Sequence, residues 1–274
     1  MERCSHPAAT RSGWILSTGN VLGEGMRQGI PEHPGTASAS LDAFVESAQA
    51  AEREGAWDEA LRCYEAAFQR LSSEGDAATA ASLLRWIGTV HRQRGDLDLA
   101  AESYDASLAI AQASDQPVHT ASAFNCLAII AQFRANIDQA EALYRDARAL
   151  AEQAGDERLC AMIDQNIGTL ANTTGEFETA LASYRSAITR LRRLGDNATL
   201  ALALNNVGMV HVDVENWEAA EASFDEAFDV ADRLRDPTLI GTIELNRAEL
   251  YLNRNHLEHA RDCCDRGYEV FSRI

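Results

Sequence analysis

Two histidines three residues apart, His256 and His259, stand beside Glu258 and upstream of Cys263. Imidazole, carboxylate and thiol together could hold a divalent metal, yet no tetrahedral ligand set is complete here. A polar helix start accounts for them better. Gly23, Gly25 and Gly29 have the look of a phosphate-cradling loop, but their spacing departs from GxGxxG and no strand-like run precedes them. Chemistry that needs an amine is excluded outright, because all 24 basic residues are arginine. That removes both a phosphate-binding lysine and a Schiff-base nucleophile. No nucleophile, base and orienting group can be assembled from what remains. The expectation is a chain that catalyses nothing and carries neither cofactor nor metal.

The bulk properties narrow the partners. A net charge of −18 repels nucleic-acid phosphates and anionic lipid headgroups, so neither is an expected ligand. Arg190, Arg192 and Arg193 form too small a basic cluster to change that. The apolar share of 46% is ample for a core, but no stretch approaches the ~18 apolar residues of a membrane span. Trp14-Ile15-Leu16 is too short an apolar run for a secretory signal. The cysteines (Cys4, Cys63, Cys126, Cys160, Cys263 and Cys264) show no CxxC and no framework spacing, which suits a reducing cytoplasm.

The elements that would position any site are announced by repetition. Alanine recurs at Ala60, Ala100, Ala140, Ala180, Ala220 and Ala260, a constant step of 40 residues. Four residues on stand Tyr64, Tyr104, Tyr144, Tyr184, Phe224 and Cys264, and three further on Ala67, Ser107, Ala147, Ala187, Ala227 and Gly267. Upstream, Ala48, Gly88, Ala128, Gly168, Gly208 and Ala248 keep the step, as do Trp57, Leu97, Ile137, Phe177, Trp217 and Leu257. Each copy reads as two antiparallel helices. In the first, residues such as Leu204, Val207 and Val210 recur at helical spacing. A turn is expected at Gly55, Gly95, Ala135, Gly175, Glu215 and Asn255. The second helix then opens on an acid, Asp58, Asp98, Asp138, Glu178, Glu218 or Glu258, which faces the positive end of the helix dipole. Gly75-Asp76, Gly155-Asp156 and Gly195-Asp196 pair a helix-stopping glycine with an N-capping aspartate, and Asp236-Pro237 is a variant of the device.

These columns resemble those of the tetratricopeptide repeat, whose usual copy is about 34 residues. The longer copies here are similar to those of kinesin light chains and of bacterial regulatory repeat arrays. The resemblance covers residues 41–274, with copies near 41–80, 81–120, 121–160, 161–200, 201–240 and 241–274. It implies an all-α, right-handed superhelical solenoid of antiparallel helix pairs, with the first helices lining the concave side. Residues 1–39, rich in Gly, Ser, Pro and Thr, do not join the pattern and are expected to be a disordered tail. Met26 is an alternative start.

In the resembling family the groove is lined by the second, fifth, sixth, ninth, twelfth and thirteenth positions of each copy. Carried onto this chain, those positions include Arg85, Trp86 and Arg92, then Asn125, Ile129 and Phe133, then Asn166 and Thr169. Asn205, Asn206, Met209 and Asn246 complete the lining. His91 and His211 fall where the family often has tyrosine, and are expected to pack. An asparagine amide donates and accepts at once, which matches the alternating groups of a peptide backbone. Equally, the amides bridge neighbouring helices and fix the repeat geometry. Arg85 and Arg92, seven residues apart on one helix face, suit an acidic residue or a terminal carboxylate of a ligand, unless Glu46 and Glu52 neutralise them. The lysine-containing clamp of chaperone-adaptor repeats is absent.

The resemblance therefore implies a protein-interaction scaffold that takes an extended peptide or a partner helix in its groove. The alternative is the sensory or regulatory arm of a larger bacterial signalling protein, a transcription regulator or nucleotide cyclase, whose output domain lies outside these residues. At the far end Tyr268, Val270, Phe271 and Ile274 are more apolar than a solvated terminus should be. They predict further repeats, a covering partner, or self-association through the last helix.

Overall fold

The structure is a computed structural model and describes residues 40–71 and 76–273. The tail 1–39, with its glycine loop and Met26, lies outside the described residues, as do Gly75 and Ile274. The described residues form twelve helices and no strand. The first helices of the six copies are α1 (Leu41–Arg53), α3 (Ala77–Gln93), α5 (Pro117–Phe133), α7 (Glu157–Thr173), α9 (Asn197–Asp213) and α11 (Pro237–Asn253). The second helices are α2 (Trp57–Arg70), α4 (Leu97–Ala113), α6 (Ile137–Ala154), α8 (Phe177–Leu194), α10 (Trp217–Leu234) and α12 (Leu257–Phe271).

Local chemistry sets the punctuation. Every expected turn residue within a copy takes the left-handed conformation, from Gly95 at φ +86° to Ala135 and Glu215 at φ +56°. Where glycine is missing, a side chain is held at a backbone angle that costs about 1 kcal/mol. Asp76, Asp156, Asp196 and Asp236 each accept a hydrogen bond from a backbone N–H in the first turn of the helix that follows. The acids that open the second helices also reach across copies. Asp58 pairs with Arg94 at 3.0 Å and Asp98 with Arg134, so each ties a second helix to the turn of the next copy.

The repeating columns are the core. Ala60, Ala100, Ala140, Ala180 and Ala220 are fully buried, and the aromatics Tyr64, Tyr104, Tyr144, Tyr184 and Phe224 are buried with them. In the copies with glycine in the small column the aromatic ring lies against it, Tyr104 on Gly88, Tyr184 on Gly168 and Phe224 on Gly208. A methyl group placed on Gly208 would come within 2.6 Å of the Phe224 ring, and one on Gly88 within 2.7 Å of Tyr104. The small column thus exists because a ring occupies the side-chain space. Buried tyrosine hydroxyls need partners, and they find Glu52 for Tyr64 at 3.1 Å, Thr89 for Tyr104 at 3.2 Å and Thr169 for Tyr184 at 2.9 Å. Tyr144 donates to Gln132 at 3.2 Å. The sixth copy breaks the column: Cys264 is exposed.

Successive copies dock mainly with the second helix of one against the first helix of the next, and their first helices also touch. α3 touches α5, α5 touches α7, α7 touches α9 and α9 touches α11, whereas neighbouring second helices stand further apart. A stack that is tight along one row and open along the other must curve, with the first helices on its inner side. On the outer side the gaps form furrows floored by a first helix. The furrow between α6 and α8, lined by Tyr144, Arg148, Glu152, Ile167 and Leu170, encloses about 550 Å³. No helix among the described residues is long and apolar enough to cross a membrane.

Candidate functional site

The inner surface is built from the first helices, and its side chains divide into those committed to the stack and those left for a ligand. The asparagines are the clearest case. Asn166 on α7 donates from Nδ2 to Oδ1 of Asn125 on α5 at 2.9 Å. Asn246 on α11 repeats the bond to Asn205 on α9, also at 2.9 Å. In both pairs a fifth-position amide accepts from the sixth-position amide of the next copy. Asn125 and Asn205 are only 4% exposed, so the expectation that they face a ligand gives way to a role between helices. Met209, 5% exposed within the core cluster of copies four to six, is likewise removed from the groove.

Asn166 and Asn246 are half-buried and each spends one donor on its bridge. An amide has two N–H donors and an acceptor oxygen, so the outer member of each pair keeps groups for another partner. At the intervening junction Asn206 lies beside the Tyr184 hydroxyl and opposes the rise that burial gives its pKa. Thr169 donates to the Gln165 carbonyl at 3.0 Å and meets the same tyrosine, so its hydroxyl serves the fold as well. Asn172 bonds Asp213 at 3.1 Å across α7 and α9.

The arginine end of the groove is different. Glu52 is buried and accepts the Tyr64 hydroxyl, and Glu46 stands exposed. Arg85 forms no ion pair among the described residues; its guanidinium lies over the Trp86 ring at 5.7 Å. Trp86 in turn packs on Tyr64 with ring centroids 5.6 Å apart. Arg92 is half-buried one turn pair further along α3. Cys126 of the next copy feels both arginines, which pull its thiol pKa down, but burial outweighs them and leaves it above the ordinary value. Ile129 is half-buried against the core and Phe133 is exposed, so α5 adds an apolar step beside the arginines. Of the residues expected to line the groove, Arg85, Trp86, Arg92, Ile129, Asn166, Asn206 and Asn246 remain half-buried and Phe133 exposed.

Two acids that the columns did not single out sit inside the stack. Asp164 of α7, 1% exposed, accepts from Ser186 Oγ at 2.7 Å and is paired with Arg148 of α6 and, at 3.6 Å, Arg190 of α8. Burial raises its pKa, while the serine hydroxyl and the two arginines oppose the rise. Glu244 of α11 is similarly buried and takes Arg266 at 2.8 Å and Arg247 at 3.8 Å. The signal was present in the sequence: four other copies have Phe44, Leu84, Phe124 and Leu204 at that position. An acid in an apolar column calls for a buried counter-charge. His256 stacks on Tyr251 and His259 lies tilted against the same ring, and no group of three or more potential metal ligands forms among the described residues. His91 and His211 are half-buried packing residues, as their column implies, and burial lowers both pKa values.

Known proteins match this architecture. Two family models described as tetratricopeptide repeat match residues 119–193 and 200–234. No curated protein matches the sequence. Among solved structures, a Rap protein complexed with competence and sporulation factor superposes with a TM-score of 0.69 at 12% identity, covering 85% of this chain and 75% of that one. The Rap conjugation gene regulator of the plasmid pLS20, in complex with a Phr peptide, gives a TM-score of 0.66 at 16% identity, with 85% and 74% covered. BtubC (BKLC) from P. vanneervenii gives 0.60 at 21% identity, with 72% and 81% covered. At such identities the superpositions speak for the fold, and they agree with the period, the left-handed turns and the ring-on-glycine packing: the chain is a tetratricopeptide-repeat protein.

Proposed function

We propose that this protein is an interaction scaffold with no reaction of its own, and that it holds an extended peptide along its concave groove. The observation that carries the reading is the open arginine–tryptophan step on α3. Arg85 has no counter-ion among the described residues, although the chain as a whole carries a net charge of −18. An arginine held beside an aromatic ring without a counter-ion is a ready partner for a carboxylate. Asn166, Asn206 and Asn246 continue the surface with groups that suit a peptide backbone. The two Rap structures add support, since each is a repeat protein solved with a peptide or factor bound. The free thiols Cys63, Cys126, Cys160, Cys263 and Cys264 fit a reducing compartment, in keeping with a cytoplasmic protein.

The polarity of the groove sets the expected ligand. Its acidic or C-terminal end lies at copy two, and the chain runs toward copies five and six, where Asp213 and Glu249 line the same side. An array of short peptides probed with the full chain tests this. Acidic peptides should be retained by the wild type and lost with Arg85→Glu, while Arg193→Glu on the outer face leaves retention unchanged. Retention that survives Arg85→Glu and Trp86→Ala together places the ligand elsewhere and refutes the reading.

A further inference from the structure

The exposed side of α12 carries a seam. Leu257, Arg261, Cys264, Tyr268 and Phe271 follow one another at spacings of four, three, four and three residues, the rhythm of a coiled-coil face. Leu257 is 62% and Tyr268 75% exposed, Phe271 is exposed at its edge while resting on Gly241, and Cys264 is open. Ala260, Cys263 and Gly267 form the buried side of the helix, and the seam runs along its flank, where Phe271 is shared between the two. The described part of the other end of the array shows nothing comparable: no large apolar side chain of α1 or α2 is exposed. A head-to-tail contact would need a complementary apolar surface there.

We infer that α12 is a two-fold interface with a second copy of this chain, the two helices running antiparallel and crossing at Cys264. The seam reads as its own complement in that direction. Leu257 meets Phe271 of the second copy, Arg261 meets Tyr268, and Cys264 meets its own counterpart at the axis. A parallel pairing instead sets Arg261 against Arg261, two like charges in the middle of the contact. The antiparallel one places that guanidinium on a tyrosine ring. In the single chain Arg261 has only a loose partner, Asp265 at 3.8 Å, with both side chains largely in solvent. Charge also permits the contact. Between Leu257 and Arg273 four acids face three arginines, so little of the net −18 of the chain falls on this helix and self-repulsion across the contact is small.

Sedimentation velocity of the full chain under reducing conditions, over a roughly hundredfold range of concentration, is the first measurement. The wild type should shift reversibly from monomer to dimer. Tyr268→Glu and Leu257→Glu should each weaken the dimer roughly tenfold or more, with unchanged helical circular dichroism because both side chains are exposed. Tyr268→Phe should retain it. A mild thiol oxidant then reads the register. It should trap a disulfide-linked dimer in the wild type, none in Tyr268→Glu, and none in Cys264→Ser, which still dimerises under reduction. A chain that stays monomeric throughout overturns the proposal. So does a dimer indifferent to both glutamate substitutions, or one that depends on them and never cross-links through Cys264.

Discussion

Replacing Asn166 by alanine separates the two roles of the groove amides. If the side chain served a ligand alone, its loss would stabilise the free protein, since alanine exceeds asparagine in helix propensity by about 0.5–0.7 kcal/mol. The structure predicts the opposite sign. Asn166 supplies the donor for Oδ1 of Asn125 at 2.9 Å, and Asn125 is 4% exposed, with little access to water. A buried acceptor left without a donor costs about 1–3 kcal/mol. Subtracting the helix gain leaves a net destabilisation of roughly 0.5–2.5 kcal/mol. In a chain of this size that corresponds to a fall in Tm of several degrees, at about 2–4 °C per kcal/mol. Denaturant melts of Asn166→Ala, Asn125→Ala and the double variant give the coupling directly. Removing both partners strands nothing, so the double variant should be more stable than the sum of the singles implies, by about 1 kcal/mol. The Asn205–Asn246 pair provides an internal replicate. An Asn166→Ala protein that melts at or above the wild-type temperature, with zero coupling to Asn125, refutes the bridge as a stabilising element.

Ala180→Leu should destabilise by about 1–3 kcal/mol, because the alanine is fully buried at a helix crossing; urea melts check it. Glu215→Gly should raise stability by about 1 kcal/mol by relieving a left-handed φ of +56°, visible as a higher denaturation midpoint. His211 provides a pH test. Burial holds its folded pKa below the ordinary 6.5, so the unfolded chain takes up the proton first and stability falls as pH drops from 6.5 through the folded value. His211→Tyr should therefore lose less stability on acidification than the wild type, measured by melting temperature across that window.

The period, the turns and the small and aromatic columns were legible because each is a local demand repeated in register. A left-handed turn, a capped helix start and a ring lying on a glycine leave residue types at fixed spacing. The groove was harder. Position in a copy says which side a residue faces, but not whether the next helix has already claimed it. Asn125 and Asn166 have the same side chain and adjacent positions in their copies, yet one is sealed and the other half open. The difference comes from the offset of one copy against the next, a relation between segments about 40 residues apart. Asp164 and Glu244 were readable as departures from an apolar column, provided the columns are compared for what breaks them as well as for what repeats.

A stack of near-identical units carries an ambiguity that ordinary domains do not: any copy can dock on any other, and a slipped pairing buries almost the same apolar surface as the right one. The Arg148–Asp164 contact removes part of that ambiguity. The same two columns hold Phe68 and Leu84, Leu108 and Phe124, and Ile188 and Leu204 at three other junctions, all interchangeable oils. Only between copies three and four do both sides carry charge, with the acid sealed inside. Docked one copy out of step, Arg148 would face Leu204, or Asp164 would face Leu108. Either breaks the pair between copies and leaves the sealed acid with only Ser186 and the longer Arg190 contact of its own copy, a loss that a buried charge makes costly. The pair acts as a key cut into one joint of an otherwise uniform rod, and it fixes the order of the chain at its midpoint.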